Sequence, residues 1–221
     1  MILGFAVSAV QAGQVWFPEG GGMSSSVDVQ SITEKKFAQV VRQQYDFSCG
    51  SAALATLLTY HYEDPTDEET TFRKMFAKGD QQKIQRAGFS LLDMKGYLES
   101  FGYQAEGYSA DLDTLSKAGV PAITLLDVNG YRHFVVVKGV ANDEVLVGDP
   151  ALGLKYFSRE KFEEMWGNGI LFIITNRPDK GKKHFNKSRE WNSLARAPIG
   201  KGLSREGLSD LIISVPRLGE F

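Results

Sequence analysis

A 221-residue chain, 43% hydrophobic and 24% charged, is ordinary globular material: one domain with appendages, or at most two small domains, long enough to bury a core. Its formal net charge of −2 gives no global signal for nucleic acid as a partner. The charge is unevenly placed, however. Residues 177–221 carry ten Lys/Arg against five Asp/Glu and the remainder fifteen against twenty-two, so a basic tail follows an acidic body and is expected to dock on something acidic, its own domain included.

In chain order, the apolar run 2–10 is too short to span a bilayer, which takes about 20 residues. It has the character of the apolar region of a secretory signal. Val10-Gln11-Ala12 reads as a small-residue cleavage site before Gly13, although no positive charge precedes the run. The expectation is a signal peptide over 1–12 and export, with no transmembrane segment. Residues 13–33 are expected to be a flexible linker, richest in Gly and Ser over 18–26. The single cysteine, Cys49, allows no internal disulfide. In an oxidising compartment such a thiol is either buried or used.

A domain over 34–176 follows. Leu54, Leu57 and Leu58 recur at helical spacing and predict a helix over 49–60. Asp67 is read as the cap of a second helix through Ala77. Ser90 caps a third carrying Leu91, Leu92, Met94, Tyr97 and Leu98, and Asp111 a short fourth ended by Gly119. The pattern then changes to strands over 121–128, 131–140, 144–149 and 155–157, with a hairpin turn at Asn129-Gly130. Ser158 caps a helical turn through Trp166, and 170–175 is a last strand. Helices first and an antiparallel meander second make an α+β layout. Residues 177–221 form a basic extension without a clear core pattern: 180–189 reads as a solvated loop, 208–215 as one strand or an edge helix.

Cys49 follows Asp46 and Ser48, both good N-cap residues, and opens the apolar helix. Its sulfur then lies in the first turn, where free N–H groups and the helix dipole favour the thiolate, the reactive form. Taken alone, a lone cysteine reads equally well as a small buried hydrophobe. There are three histidines to serve as its base. His61 lies twelve residues along the same helix, about 18 Å from Cys49 at the helical rise, and is out of reach. His184 sits in the basic loop. His133 lies in a strand on a face shared with Val135 and Val137, where it reads either as a satisfied core residue or as a base presented by a sheet. Asp149 ends the next strand, sixteen residues on. If 141–143 is a three-residue loop, Val135 pairs with Asp149, and Asp149 lies on the face of His133 within reach; a two-residue loop separates them unless a bulge corrects the register, so one of these two forms is expected. Gln43, six residues before Cys49, is placed to join the Cys49 N–H in an oxyanion hole, with Gln44 as the competing choice. No metal-ligand spacing is present, and no cofactor is expected.

The ordered set of Gln43, Cys49-Gly50, His133-Phe134-Val135-Val136 and Asp149-Pro150 resembles the C39 (bacteriocin-processing, double-glycine) peptidases over roughly 37–175. The resemblance implies a papain-like fold with the nucleophile at a helix N-terminus packed on an antiparallel sheet. It implies Cys49 as nucleophile, His133 as base, Asp149 as its orienting partner and Gln43 in the oxyanion hole. The implied substrate is a polypeptide, a leader or secreted partner cut after Gly-Gly. Transporter-type members continue into membrane helices and an ATPase, which this sequence lacks. It is closer to stand-alone C39-like proteins that are exported to the periplasm and associated with export systems, one group of which is encoded with the Fap functional amyloid of pseudomonads. Two other readings keep the fold: a catalytically idle module that binds a secreted chain, and an acyltransferase using the same triad.

Overall fold

The protein is described here by a computed structural model that covers residues 13–18, 24–29, 31–141, 143–167 and 169–193. The expected signal over 1–12 and the apolar run 208–215 lie outside these residues.

The first half of the domain is helical: α1 (Ile32–Phe37), α2 (Cys49–His61), α3 (Glu68–Lys78), α4 (Gln81–Ala87) and α5 (Leu91–Glu99). Short polar side chains start all of these but α2. Asp67 accepts from the Thr70 N–H, Asp80 from that of Lys83, and Ser90 forms a capping box with Asp93. Each such cap stabilises its helix by about 1 kcal/mol. The small residues of α2 let it be buried along nearly its whole length, with Ala52, Ala53 and Ala55 wholly inside. A helix enclosed in this way is the central post of the molecule.

The second half is a six-stranded antiparallel sheet of β3 (Ala105–Ser109), β4 (Ala122–Val128), β5 (Tyr131–Ala141), β6 (Glu144–Asp149), β7 (Gly153–Ser158) and β8 (Ile170–Ile174), in the order β3-β8-β4-β5-β6-β7. Between its strands lie α6 (Leu112–Ala118, capped by Asp111) and α7 (Arg159–Met165, capped by Ser158). Asn129 and Gly130 both take positive φ (55° and 85°), the requirement of a tight hairpin turn. Phe134, Val136, Ile123 and Phe172 pack with Leu54, Leu57, Met94 and Leu98 of the helical half. Val135, Val137, Val145 and Val147 pack with Leu112, Leu115, Phe162 and Trp166 in a second cluster.

One irregularity sets the geometry that matters most. Ala141 pairs with Glu144, Val140 with Val145 and Gly139 with Leu146, but beyond Gly139 the register shifts, and Val137 pairs with Val147 and Val136 with Gly148. Lys138 is the extra residue of a β-bulge. Val137 and Val140, three apart, consequently both enter the second cluster, which strict alternation forbids. Of the two constructions that give this register, a three-residue loop or a two-residue loop corrected by a bulge, the structure has the second, with a two-residue connection at 142–143. The bulge restores the odd register, so Asp149 comes opposite Val135 and onto the face of His133.

Two expectations need correction. The segment 13–33 is not all linker: β1 (Gly13–Pro18) pairs antiparallel with β2 (Ser24–Val29), and α1 begins at Ile32 behind a Ser31–Glu34 capping box. Val15, Trp16 and Phe17 favour extended backbone, and the Gly-rich run that reads as linker lies between the strands. The stretch 180–189 is not a solvated loop, because α8 (Pro178–His184) and α9 (Ser188–Ser193) cover the body. Their anchors are isolated, Gly181, Phe185 and Glu190, so no apolar period marks them. The helix α4, with Ile84 as its one buried residue, and the edge strand β3, buried only at Ala105, escape sequence reading for the same reason.

Candidate active site

Cys49 occupies the first turn of α2, is 7% exposed, and lines a cleft of about 440 Å³ with Phe89, Leu91, Leu92, Leu125, Arg132 and Phe134. Ser48, the residue before it, does not cap the helix. Its hydroxyl turns back to donate to the Tyr45 carbonyl (2.9 Å) and accept from the Tyr45 N–H (3.1 Å). The first-turn N–H groups beside the sulfur therefore face no competing side-chain acceptor from Ser48.

His133 lies near the start of β5, buried, with Nε2 2.8 Å from Asp149 Oδ1. That same oxygen accepts from the N–H groups of Ala151 (2.8 Å) and Leu152 (3.1 Å), a turn that fixes the carboxylate where the chain leaves β6. Burial works to raise the Asp149 carboxyl, but His133 and the two N–H groups outweigh it and hold it below its usual range. For His133 burial opposes protonation, yet Asp149 and then Cys49 prevail, and the imidazole is raised to about 9. Its Nδ1 is buried and without a hydrogen-bond partner, with Cys49 as the neighbouring group that favours the charged ring. Tyr131, two residues earlier on the same strand face, stacks on the ring (centroids 5.8 Å apart, 24° between planes), and its hydroxyl donates to the Asp46 carbonyl at 3.3 Å. Nothing singles Tyr131 out by residue type, but its two-residue spacing from His133 is the signal.

Gln43 is joined to the corner after Asp149, its N–H donating to Pro150 O at 3.0 Å. Its amide nitrogen donates to the Tyr45 carbonyl (3.2 Å), and its Oε1 is buried without a partner. Gln44, the competing residue, is exposed. The other histidines stand apart. His61 is wholly buried with both ring nitrogens unpartnered, and burial, then Lys138 and His184, push it well below the ordinary histidine range. His184 ends α8 and lies 2.9 Å from Glu63. A second cleft, of about 450 Å³, is lined by Lys35, Gln39, Leu154, Arg189, Glu190 and Ser193, with no cysteine or histidine among its lining residues. Among the described residues no group of His, Cys, Asp or Glu is arranged to hold a metal ion, and no helix is long and apolar enough to cross a membrane.

A cysteine at the head of a buried helix, beside a sheet-borne His–Asp pair, in a helices-then-antiparallel-sheet frame, defines a papain-like thiol peptidase. Residues 38–179 match the Peptidase C39 family, and the chain belongs to it. It is 45% identical over 166 residues to the probable functional amyloid protease FapD of Pseudomonas aeruginosa, covering 74% of this chain and 73% of that one. The corresponding protein of Pseudomonas fluorescens is 44% identical over 169 residues, covering 76% and 70%. Among solved structures, the peptidase domain of Streptococcus ComA superposes with a TM-score of 0.52 at 23% identity, covering 62% of this chain and 97% of that domain. A double glycine motif protease from an AMS/PCAT transporter, in complex with its leader peptide, gives 0.50 at 26% identity, covering 61% and 89%. The chain is a peptidase of the C39 family, of α+β, papain-like fold.

Proposed function

We propose that the chain is an exported, periplasmic cysteine peptidase that cleaves a secreted partner after Gly-Gly, in the export of a functional amyloid. The single observation that carries the reading is the His133 imidazole, bonded through Nε2 to Asp149 and with its free Nδ1 beside Cys49. With the ring held at about 9, it carries at neutral pH the proton that the thiol gives up. The sulfur attacks the scissile carbonyl, and the oxyanion is met by the Cys49 N–H at the helix start. His133 Nδ1 then passes its proton to the leaving amine, the C–N bond breaks, and a thioester remains. Water, deprotonated by His133, hydrolyses it. Gln43 joins the oxyanion hole if its amide nitrogen turns from the Tyr45 carbonyl toward the sulfur.

The two FapD relatives named as functional amyloid proteases support the amyloid assignment, and the leader-bound double glycine protease supports the Gly-Gly site. The cleft running from Cys49 past Phe89, Leu91, Leu92 and Phe134 suits an apolar segment, and Lys83 and Arg132 at its wall favour acidic residues on it. Synthetic peptides test this. Those with Gly-Gly before the bond should be cut at that bond, read by mass spectrometry, and Ala or Val replacements should fail. Equal cutting of both sets would overturn the Gly-Gly specificity. Binding without cutting would favour an idle module, and transfer to an added amine in place of water an acyltransferase.

A further inference from the structure

The register that unites His133 with Asp149 depends on the bulge at Lys138, and two residues that hold this bulge, Asn186 and Glu190, lie beyond position 179, where the family match ends. A bulge leaves its extra peptide without a partner in the neighbouring strand. Here Asn186, between α8 and α9, supplies one: its N–H donates to Lys138 O at 2.9 Å, and its Nδ2 donates to Val140 O at 2.9 Å. Gly139 makes room, since a Cβ there would collide with the Asn186 side chain. The Lys138 side chain is itself 0% exposed. Its stem runs against Gly148, the residue before Asp149. Its Nζ donates to Gln39 O at 3.0 Å, pairs with Glu190 Oε1 at 3.3 Å and lies 5.4 Å from the Tyr60 ring centre.

A buried ion pair contributes little net stability, because desolvation offsets the attraction. Removing one partner is nonetheless strongly destabilising, and the best use of such a pair is to specify one arrangement over another. The arrangement specified here is the bulge. A regular ladder from Ala141 onward would place Asp149 opposite Val136, on the face away from His133.

We propose that Asn186 and Glu190 are positioning residues that clamp the β5 bulge, so that a segment beyond the family core sets whether Asp149 meets His133. The consequence for turnover rests on the reading of Cys49, His133 and Asp149 as a triad. In the full chain, Glu190→Gln removes the charge facing Lys138. Asn186→Gly removes the bond to Val140 while tolerating the positive φ of 54° at that position. Nitrogen-15 histidine NMR follows the His133 titration, and peptide cleavage gives kcat and KM. Both variants should lower kcat about tenfold or more with KM within about twofold, and move the His133 midpoint clearly below its wild-type value. If Glu190→Gln does not fold, Asn186→Gly decides alone. Variants that lose thermal stability but keep the wild-type His133 midpoint and kcat would overturn the clamp. A lowered midpoint with unchanged kcat would uphold the clamp and overturn the triad roles.

Discussion

Replacing Asp149 by Asn isolates the charge at the centre of the site. The amide oxygen can still accept from the Ala151 and Leu152 N–H groups, so the turn after β6 and the fold are retained. What is lost is the negative charge 2.8 Å from His133 Nε2, the first of the influences that hold the ring at about 9 against burial. At pH 7.5 a wild-type His133 is almost wholly protonated. One returned to the ordinary value of about 6.5 is protonated in roughly a tenth of the molecules. The imidazolium that supplies the leaving amine's proton alone then becomes about tenfold scarcer, and mispositioning of the ring tautomer adds a further loss that does not depend on pH. Cleavage of a Gly-Gly peptide measured from pH 5 to 10 separates the two. The variant should trail the wild type by at least about tenfold at pH 7.5 and recover about tenfold of that deficit by pH 5.5, and its alkaline limb should move down from about 9. A deficit constant across pH, or an alkaline limb still near 9, would refute the electrostatic role of Asp149.

Cys49→Ala and His133→Ala should each abolish turnover, and the double variant should be no worse, since the two act as a unit; additive losses in single-turnover assays would speak against it. Gln43→Ala should lower kcat by about 10²–10³ with KM little changed, and full activity would move the oxyanion role to Gln44 or discard it. A His133 raised from 6.5 to about 9 contributes on the order of 3 kcal/mol, fully present below pH 6.5 and lost as pH rises through about 9. Chemical denaturation at pH 6 and pH 9.5 should show wild type losing stability that His133→Ala does not lose. In Cys49→Ala, NMR should find the His133 midpoint lower than in wild type, because the sulfur is one of the groups that raise it.

Much of this was legible where local chemistry decides. Asp67, Ser90, Asp111 and Ser158 start helices at the positions their side chains dictate, and Asn129-Gly130 turns the hairpin that presents His133. The pairing of His133 with Asp149 was legible only as a condition on strand parity. The sequence between them does not reveal whether a longer loop or a bulge meets that condition, because Lys138 in a run of valines reads as an outward-facing residue. Its burial depends on Glu190, fifty-two positions later, and no local pattern links the two. The Ser48 hydroxyl likewise reads as a cap, and its preference for Tyr45 depends on the loop geometry before α2. The basic composition of 177–193 conceals that three anchoring residues suffice to seat two helices.

The bulge also governs how this hairpin can change in length over time. Adding or deleting one residue between His133 and Asp149 exchanges the inward and outward positions of everything beyond it, whereas a change of two leaves them as they are. Variation in β5 and β6 should therefore come in even steps, or in compensated pairs such as a lost bulge with a loop one residue longer. The three-residue loop that the sequence equally allows is the second member of such a pair: a different construction with the same parity, reachable from this one by two changes that are each disabling alone.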